Sequence, residues 1–250
     1  MEIKHRSVLS KLVASVLINA VYAMENYPIM LVNTLLAPLS ILVVITFVSR
    51  GALIGFGIEG ALIMTSVSAG VGLQGDLSHL KNDLKLQDMV VTSPTNSAVY
   101  VAGMGISEIV FALPVMAFLV VLAAIYIHPT AMQALTIAAV MAIMFAFSIA
   151  LGFLLSTLTT DVMQSWGFSG IVSVLLSTIP PVYYPITYIP LPFRYIAYIS
   201  PTTYAAEIAQ SAMNYISITP LNLAVDWAVV IAVCIALLAI GYKKARWREP

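Results

Sequence analysis

The sequence has little charge. Only 9% of its 250 residues are charged, 61% are hydrophobic, and the mean hydropathy is +0.99. Soluble domains carry about 25% charged residues, so this composition predicts an integral membrane protein. The formal net charge is zero, which argues against a basic surface for nucleic acid. A single cysteine, Cys234, excludes an internal disulfide.

Motifs for common catalytic chemistry are also missing. The chain has no G-x-x-x-x-G-K-[ST] motif with which to hold ATP, and no H-E-x-x-H motif for zinc. Its three histidines, His5, His79 and His128, are far apart in the sequence. We therefore predict no catalytic residue, no metal ligand and no cofactor site of its own.

One glycine motif needs an explanation. Gly70, Gly72 and Gly75 fit G-x-G-x-x-G, which binds dinucleotides only between a strand and a helix of a βαβ unit. Here the glycines follow an apolar run instead. We interpret them as small residues that allow close helix packing and end a membrane helix.

Long apolar runs define the fold class, which we predict to be an all-α integral membrane protein. About 20 apolar residues cross a bilayer as a helix. We predict one domain, 1–250, with six spans at Tyr27–Val48, Ala52–Leu73, Ala98–Ile127, Ala131–Leu158, Val162–Ile179 and Leu221–Tyr242. A tight turn, Thr159–Asp161, joins the fourth and fifth spans.

An amphipathic helix is predicted before the first span, at residues 4–24, and it is suited to the lipid headgroup layer. The alternative is a signal peptide that is cleaved after "VYA". The distribution of positive charge favours the uncleaved helix, because six spans then place most lysines and arginines on the cytoplasmic side. Only Arg50 and Arg194 fall outside. Both termini are thus expected in the cytoplasm.

A polar stretch, residues 76–91, follows the second span. Leu77, Leu80 and Leu84 share one helical face with Val91, and charges of alternating sign cover the rest. This pattern predicts a short helix on the membrane surface whose charged face is available to a partner. A solvated loop is the alternative. Pro94 then returns the chain towards the membrane.

Two stretches resemble the permeases of the ABC type-2 export family. In "LKLQDMVVTSPTNSAVYVAG" (84–103), Pro94, Tyr100 and Gly103 match, although the usual upstream Arg-Glu-x-Gly is absent. The second stretch is "YYPITYIPLPFRYIAYISPTTYAAEIAQ" (183–210), which is similar to the proline-marked outer hairpin of the family. Ser200 stands there where Asn is usual, and Gln210 where Arg is usual.

The resemblance implies a permease subunit that works as a dimer, homomeric or heteromeric, among membrane lipids in the cell membrane. Separate ATPase subunits, which bind ATP and magnesium, dock on the cytoplasmic side. The coupling helix that contacts them lies at 76–91, with these contact residues: Leu77, Leu80, Lys81, Asp83, Leu84, Lys85 and Asp88. Re-entrant helices at 180–215 form an outer gate with these members: Tyr184, Pro185, Pro192, Pro201, Tyr204 and Glu207. Their alternative role is an aromatic anchor at the membrane surface.

Two acidic residues fall inside predicted spans. A charged acid at mid-bilayer costs on the order of 3 kcal/mol, so Glu59 and Glu108 are expected to face protein or water. They are candidates for the polar lining of the substrate path or for a contact with a cationic substrate. Alternatively, Glu59 lies near the outer boundary and Glu108 is protonated between helices.

Other functions stay open at this level. A secondary carrier driven by protons could use Glu59 or Glu108, although no inverted repeat is evident. A membrane enzyme would need converging polar residues that the spans lack. A purely structural subunit is the last alternative. The sequence does not choose among drug, lipid, polysaccharide and peptide substrates.

Overall fold

The protein is built from helices. The structure, a computed structural model, describes residues 7–82, 97–159 and 161–244. It is 84% helical, and no strand occurs in these ranges. The prediction of an all-α membrane protein is confirmed.

The helices are numbered here in chain order. Near the N-terminus, α1 (Val8–Val16) continues through a π-helical turn (Leu17–Val21) into α2 (Tyr22–Asn26). The long helices are α3 (Pro28–Val48), α4 (Ile54–Asn82), α5 (Ser97–Tyr126), α6 (Ala131–Leu158), α7 (Val162–Thr178) and, last, α10 (Pro220–Lys244). Between α7 and α10 lie a 3₁₀ turn (Ile186–Tyr188), α8 (Phe193–Ala197) and α9 (Pro201–Ala212).

Within the described residues, six helical segments are long and apolar enough to cross a membrane, and five of them correspond to predicted spans. They are Val8–Asn26, Pro28–Val48, Ile54–Leu80, Val99–Tyr126, Ala131–Leu158 and Pro220–Gly241. The N-terminal helix thus qualifies by length and composition. The predicted span in α7 has 17 residues, the lower limit of what a bilayer needs. We retain α7 as a span, and the interfacial position of the N-terminal helix stays a prediction.

Helix α4 forms the centre of the bundle and packs against α3, α5, α6, α7 and α9. Its tightest neighbour is α6. A Cβ atom on Gly152 of α6 would collide with the carbonyl oxygen of Gly70, and one on Gly70 would collide with Ser148. Ser148 Oγ also donates a hydrogen bond to the carbonyl oxygen of Ser66 at 3.1 Å. The two backbones therefore touch, as small residues permit in membrane helices.

The glycine-rich stretch does not end a helix, and this corrects the sequence interpretation. The predicted span stopped at Leu73, whereas α4 continues without a break to Asn82. Glycine inside a helix costs about 1 kcal/mol relative to alanine. Glycine is nevertheless required at Gly70, because a Cβ atom there would collide with α6. The expectation of close packing is confirmed at Gly70 and, against Trp166, at Gly75, but not at Gly72, and no strand of a βαβ unit occurs in the described residues.

The N-terminal helix packs its small and polar side chains on α5. Ser15 Oγ lies 3.4 Å from Ser107 Oγ, and a Cβ on Gly103 would lie 3.0 Å from Ser15 Cβ. Its larger apolar side chains, among them Leu9 and Ile18, are exposed. The polar side of this helix thus faces protein at Ser15, where the sequence had suggested the headgroup layer.

Candidate functional site

The two ends of the bundle hold different groups. We call the end that carries residues 180–215 the hairpin end, and these residues the hairpin segment. At the opposite end, α4 stops at Asn82 and α5 starts at Ser97. Leu77, Leu80 and Lys81, the predicted coupling residues that the structure describes, therefore lie at the end opposite the predicted gate residues.

At the opposite end, two of the three predicted coupling leucines, Leu77 and Leu80, pack into the bundle. Leu77 packs in a buried cluster with Leu73 and Met104, and Leu80 and Tyr100 pack against it. This placement follows from the continuous α4, which carries Leu77 and Leu80 along the side that faces α5. Lys81 lies in the last turn of α4. The other predicted contact residues, Asp83, Leu84, Lys85 and Asp88, lie outside the described residues.

Glu108 is joined to a second carboxyl group. It lies on α5 and forms a side-chain hydrogen bond with Asp76 of α4. Two carboxyl groups can hydrogen-bond only when one carries a proton. From the sequence, Asp76 was expected only in the surface stretch, and its pairing with Glu108 was not predicted. A helix that continues through the glycines, as α4 does, would have placed Asp76 beside the membrane helices.

Asp76 belongs to a narrow polar stripe on α4. Most of this helix is buried, but Ser68, Asp76 and His79 are exposed, and Gly72 faces open space. Their spacing of three or four residues puts them on one side of the helix. A polar stripe of this kind is unfavourable against lipid and is expected to face protein or water.

Glu59 lies near the hairpin end of α4 and is closed off from solvent. It is 1% exposed, and neither carboxylate oxygen has a hydrogen-bond partner. Tyr215 lies close enough for the charge of Glu59 to help raise the pKa of its phenol to about 12, after the larger effect of burial. The ring of Tyr215 also packs on Phe56 at 4.8 Å. In this conformation Glu59 faces the protein interior.

The hairpin segment is held by side chains that bond to backbone carbonyl groups. Gln210 Nε2 donates to the carbonyl oxygens of Pro181 at 3.1 Å and Tyr184 at 3.4 Å. Arg194 Nη2 donates to those of Ile189 at 3.0 Å and Thr187 at 3.3 Å. The many prolines interrupt regular helix in this segment and leave such carbonyls unpaired, so side chains replace the missing backbone donors.

Further bonds tie the hairpin segment to its neighbours. Thr202 Oγ1 donates to the carbonyl oxygen of Leu176 in α7 at 3.0 Å. Thr203 Oγ1 donates to the carbonyl oxygen of Ala197, where α8 ends. Of the predicted gate prolines, Pro201 starts α9 and Pro192 precedes α8, positions where a missing N–H group does least harm.

A cavity of about 690 Å³ lies between the end of α7 and the hairpin segment. Its lining is mostly apolar and aromatic and includes Tyr184, Tyr188 and Phe193 together with Thr178. Tyr184 is thus the predicted gate residue that borders open space. Tyr204 and Glu207 do not line this cavity.

Glu207 instead belongs to a buried polar cluster with Tyr198, Tyr204 and Asp226. Tyr198 Oη donates to Glu207 Oε1 at 3.1 Å, and Tyr204 Oη donates to the carbonyl oxygen of Tyr198 at 2.9 Å. Burial, and then the charge of Asp226, raise the pKa of Glu207 to about 7, while the bond from Tyr198 lowers it. Burial, with Glu207 as a further cause, raises the pKa of Tyr198 to about 12.

Asp226 was missed by the sequence analysis. It lies within α10, and one of its carboxylate oxygens, Oδ2, is buried without a hydrogen-bond partner. The available signal was an acidic residue, in "LAVDW", inside the last apolar run. No group of three or more histidine, cysteine or acidic side chains suited to a metal ion occurs in the described ranges.

These features define the class of protein to which the chain belongs. Long apolar helices around a central helix, with a broken segment before the last one, make a multi-pass α-helical membrane protein. The sequence matches the family described as ABC-2 type transporter over residues 13–214. The chain belongs to this family, and the suspected relationship is confirmed. A comparison with curated proteins found no match.

Membership has direct consequences. The chain is the transmembrane permease component of an ABC-type transporter, and the family pairs such permeases with an ABC ATPase subunit. The matched region ends at Asn214, so it includes the hairpin segment up to α9 and excludes α10.

Proposed function

We propose that this permease is the membrane subunit of an ATP-driven exporter in the cell membrane. Two copies form the substrate path, and separate ATPase subunits bind at the end opposite the hairpin segment. ATP and magnesium are bound by those subunits and not by this chain. Family membership supports the assignment, and the architecture of α4 carries the mechanism.

Helix α4 is suited to transmit motion because it is long and unbroken. Its 29 residues extend about 43 Å at 1.5 Å per residue, from Ile54, one turn before Glu59, to Asn82. The stretch predicted to contact the ATPase, including Asp83, Leu84, Lys85 and Asp88, follows directly. A displacement of that stretch would be passed by a rigid helix, packed on α6 through touching backbones, to the hairpin end.

The polar stripe of α4 supports a path shared by two copies. Ser68, Gly72 and Asp76 are unsuited to lipid, and a second copy placed against this side would enclose them between the two chains. Glu108, bonded to Asp76, then contributes to the same polar lining. Glu59 would join the path only in a second conformation that uncovers it.

Orientation follows from the distribution of positive charge. With the hairpin segment outside, both termini lie in the cytoplasm, as the positive-inside rule favours. The hairpin segment then closes the outer side of the path. Its gate residues shape the segment and carry out no chemistry. Tyr184 lines the cavity, and Tyr204 and Glu207 belong to the buried cluster. Three prolines interrupt the helices: Pro185, Pro192 and Pro201. Membrane lipids surround the remaining apolar faces.

Replacement of Leu84 by aspartate tests the coupling. We expect Leu84→Asp to insert and fold, but to lose the co-purifying P-loop ATPase and at least tenfold of ATP-driven transport, because the apolar contact in the docking groove is removed. The matched control is Leu221→Asp, the same change at an exposed position at the hairpin end of α10. Equal ATPase recovery and equal transport in both variants would contradict the proposal.

Cross-linking tests the shared path. In a Cys234→Ala background, Gly72→Cys is expected to give a covalent dimer with a bismaleimide, because the stripe of one copy faces that of the other. Val121→Cys, on an exposed apolar face of α5, serves as the control. A dimer formed only through Val121→Cys would refute this arrangement.

The bonded carboxyl pair favours one alternative, a carrier driven by protons. The hydrogen-bonded pair of Asp76 and Glu108 offers a titratable acid on a membrane helix, which such a carrier would require. Transport in proteoliposomes that collapses with the pH gradient and needs no ATP, and that is abolished by Glu108→Gln, would support this alternative over the exporter.

A further inference from the structure

The buried cluster at the hairpin end contains two acids, and no cation is among the groups that act on the Glu207 carboxyl. Glu207 is 7% exposed and Asp226 is 4% exposed. They lie on α9 and α10, which pack against each other. Oδ2 of Asp226 is buried and has no partner. Two ionised carboxylates in this position would repel each other and lack hydration.

The surrounding groups do not relieve this repulsion. Arg194 of α8 acts on Tyr198, but it is engaged with the carbonyl oxygens of Thr187 and Ile189. Helix α6, which also packs on α9, carries no titratable side chain. On α4, the acid nearest the hairpin end is Glu59, and its charge acts on Tyr215.

The cavity at the hairpin segment is lined by other residues, so Glu207 and Asp226 are not part of it. A proton is the smallest ligand that removes the repulsion between the two acids. We propose that Glu207 and Asp226 form a proton-binding site that clasps α9 to α10, so that the hairpin segment closes when one of the two acids is protonated and loosens when both acids ionise. This goes beyond the transport function, and it depends on neither an ATPase nor a substrate.

The direction of the switch follows from the chemistry of the pair. The pKa of Glu207 is raised to about 7 by burial and by Asp226, so the proton is held at acidic pH and lost as the pH rises through neutrality. The bond donated by Tyr198 Oη stabilises the ionised carboxylate and therefore opposes the raised pKa. Acid on the hairpin side keeps the hairpin segment closed.

The experiment measures a distance as a function of pH. The full chain, with Cys234→Ala, is spin-labelled at Ile199→Cys and Leu221→Cys, positions that are 81% and 74% exposed on the two sides of the clasp. Pulsed electron paramagnetic resonance in lipid nanodiscs then follows the distance from about pH 5 to about pH 9, on either side of the expected transition. We expect a short, narrow distance distribution at acidic pH and a longer, broader one at alkaline pH.

The variants make the assignment specific. Glu207→Gln, which resembles the protonated acid, is expected to stay compact at every pH. Asp226→Asn is expected to move the midpoint to lower pH, and Tyr198→Phe to higher pH, opposite shifts that a loss of packing would not produce. Glu25→Gln, an exposed acid on α2, serves as the control and should change nothing.

Three results would overturn the proposal. The first is a distance independent of pH in the parent protein, and the second is a transition that persists in Glu207→Gln. The third is closure at alkaline pH on addition of calcium, which would make the pair a metal site. Because the measurement needs no transport, failure of the exporter assignment would leave its result intact, and the reverse also holds.

Discussion

The α4–α6 contact and the hairpin segment are held together by opposite means. Between α4 and α6, glycine has no side chain to keep the helices apart, so the backbones come into contact at Gly70 and Gly152. In the hairpin segment, the backbone is interrupted by proline, and Gln210, Arg194 and Thr202 supply the missing hydrogen bonds. The first contact tolerates no added atom, whereas the second tolerates no lost donor.

This difference indicates which parts of the permease can move. Close backbone contact leaves α4 and α6 only one arrangement, so the pair acts as one rigid unit. The hairpin segment depends on separate hydrogen bonds, each worth about 1 kcal/mol net, and on one titratable cluster. Such a region can open in steps while the helices beneath it stay packed.

The largest effect is expected for Gly152→Ala. The new Cβ would collide with the carbonyl oxygen of Gly70, and backbone atoms cannot move aside as a flexible side chain can. We expect a loss of about 3 kcal/mol or more, the upper end for overpacked sites. Thermal unfolding in detergent measures it. Gly167→Ala is the matched control, since nothing lies near its Cβ position, and there a small gain is expected. Equal melting temperatures would refute the rigid contact.

A smaller, pH-dependent effect is expected at Glu207. Its pKa lies at about 7 in the folded protein against an ordinary 4.5, so the stability it contributes is complete below about pH 4.5 and is lost as the pH rises through 7. The change is on the order of 3 kcal/mol over the full interval. The melting temperature should therefore fall with rising pH in the parent protein and fall less in Glu207→Gln. Parallel curves would speak against the raised pKa.

The smallest effect is expected for Gln210→Leu. This change removes the donor that serves the carbonyl oxygens of Pro181 and Tyr184, and it leaves them unpaired in a buried position. The expected cost is about 1–3 kcal/mol. Limited proteolysis should cut the hairpin segment faster while the α4–α6 contact stays protected. Gln133→Leu removes a bond to the carbonyl oxygen of Ala212 from a less buried site, together with the capping bonds from Thr130 at the start of α6, and it should speed cleavage of the hairpin segment less. Uniform loss of protection along the chain would contradict the separation of the two regions.

Much of the helix pattern could be read from composition. The bounds of α3, α5 and α6 differ from the predicted spans by at most one residue, because long apolar runs and flanking breakers mark both ends. The predicted end of α4 was wrong, because its glycines were interpreted as a helix end. A glycine that ends a helix and one that lets two helices touch look the same in a sequence, and only the position of Gly152 on a distant helix distinguishes them.

The candidate site, too, could be predicted only in part from the sequence. Glu59 and Glu108 could be found from the sequence, because an acid in an apolar segment is costly and therefore conspicuous, and Glu207 could be found from the resemblance of its segment to the family. Their partners could not, since Asp76 and Asp226 become neighbours only when α4 meets α5 and α9 meets α10. The predicted coupling residues from Asp83 onward stay predictions.

The sequence by itself determined that this is a helical membrane protein of the ABC-2 type, since hydropathy and local motifs are properties of consecutive residues. Only the tertiary structure decided that α4 runs unbroken through its glycines, that Leu77 and Leu80 turn inward, and that four acids form two pairs. The physical reason is that burial, repulsion and hydrogen bonding depend on which side chains meet. Residues distant in the chain are brought together by helix packing, on which hydropathy carries no information.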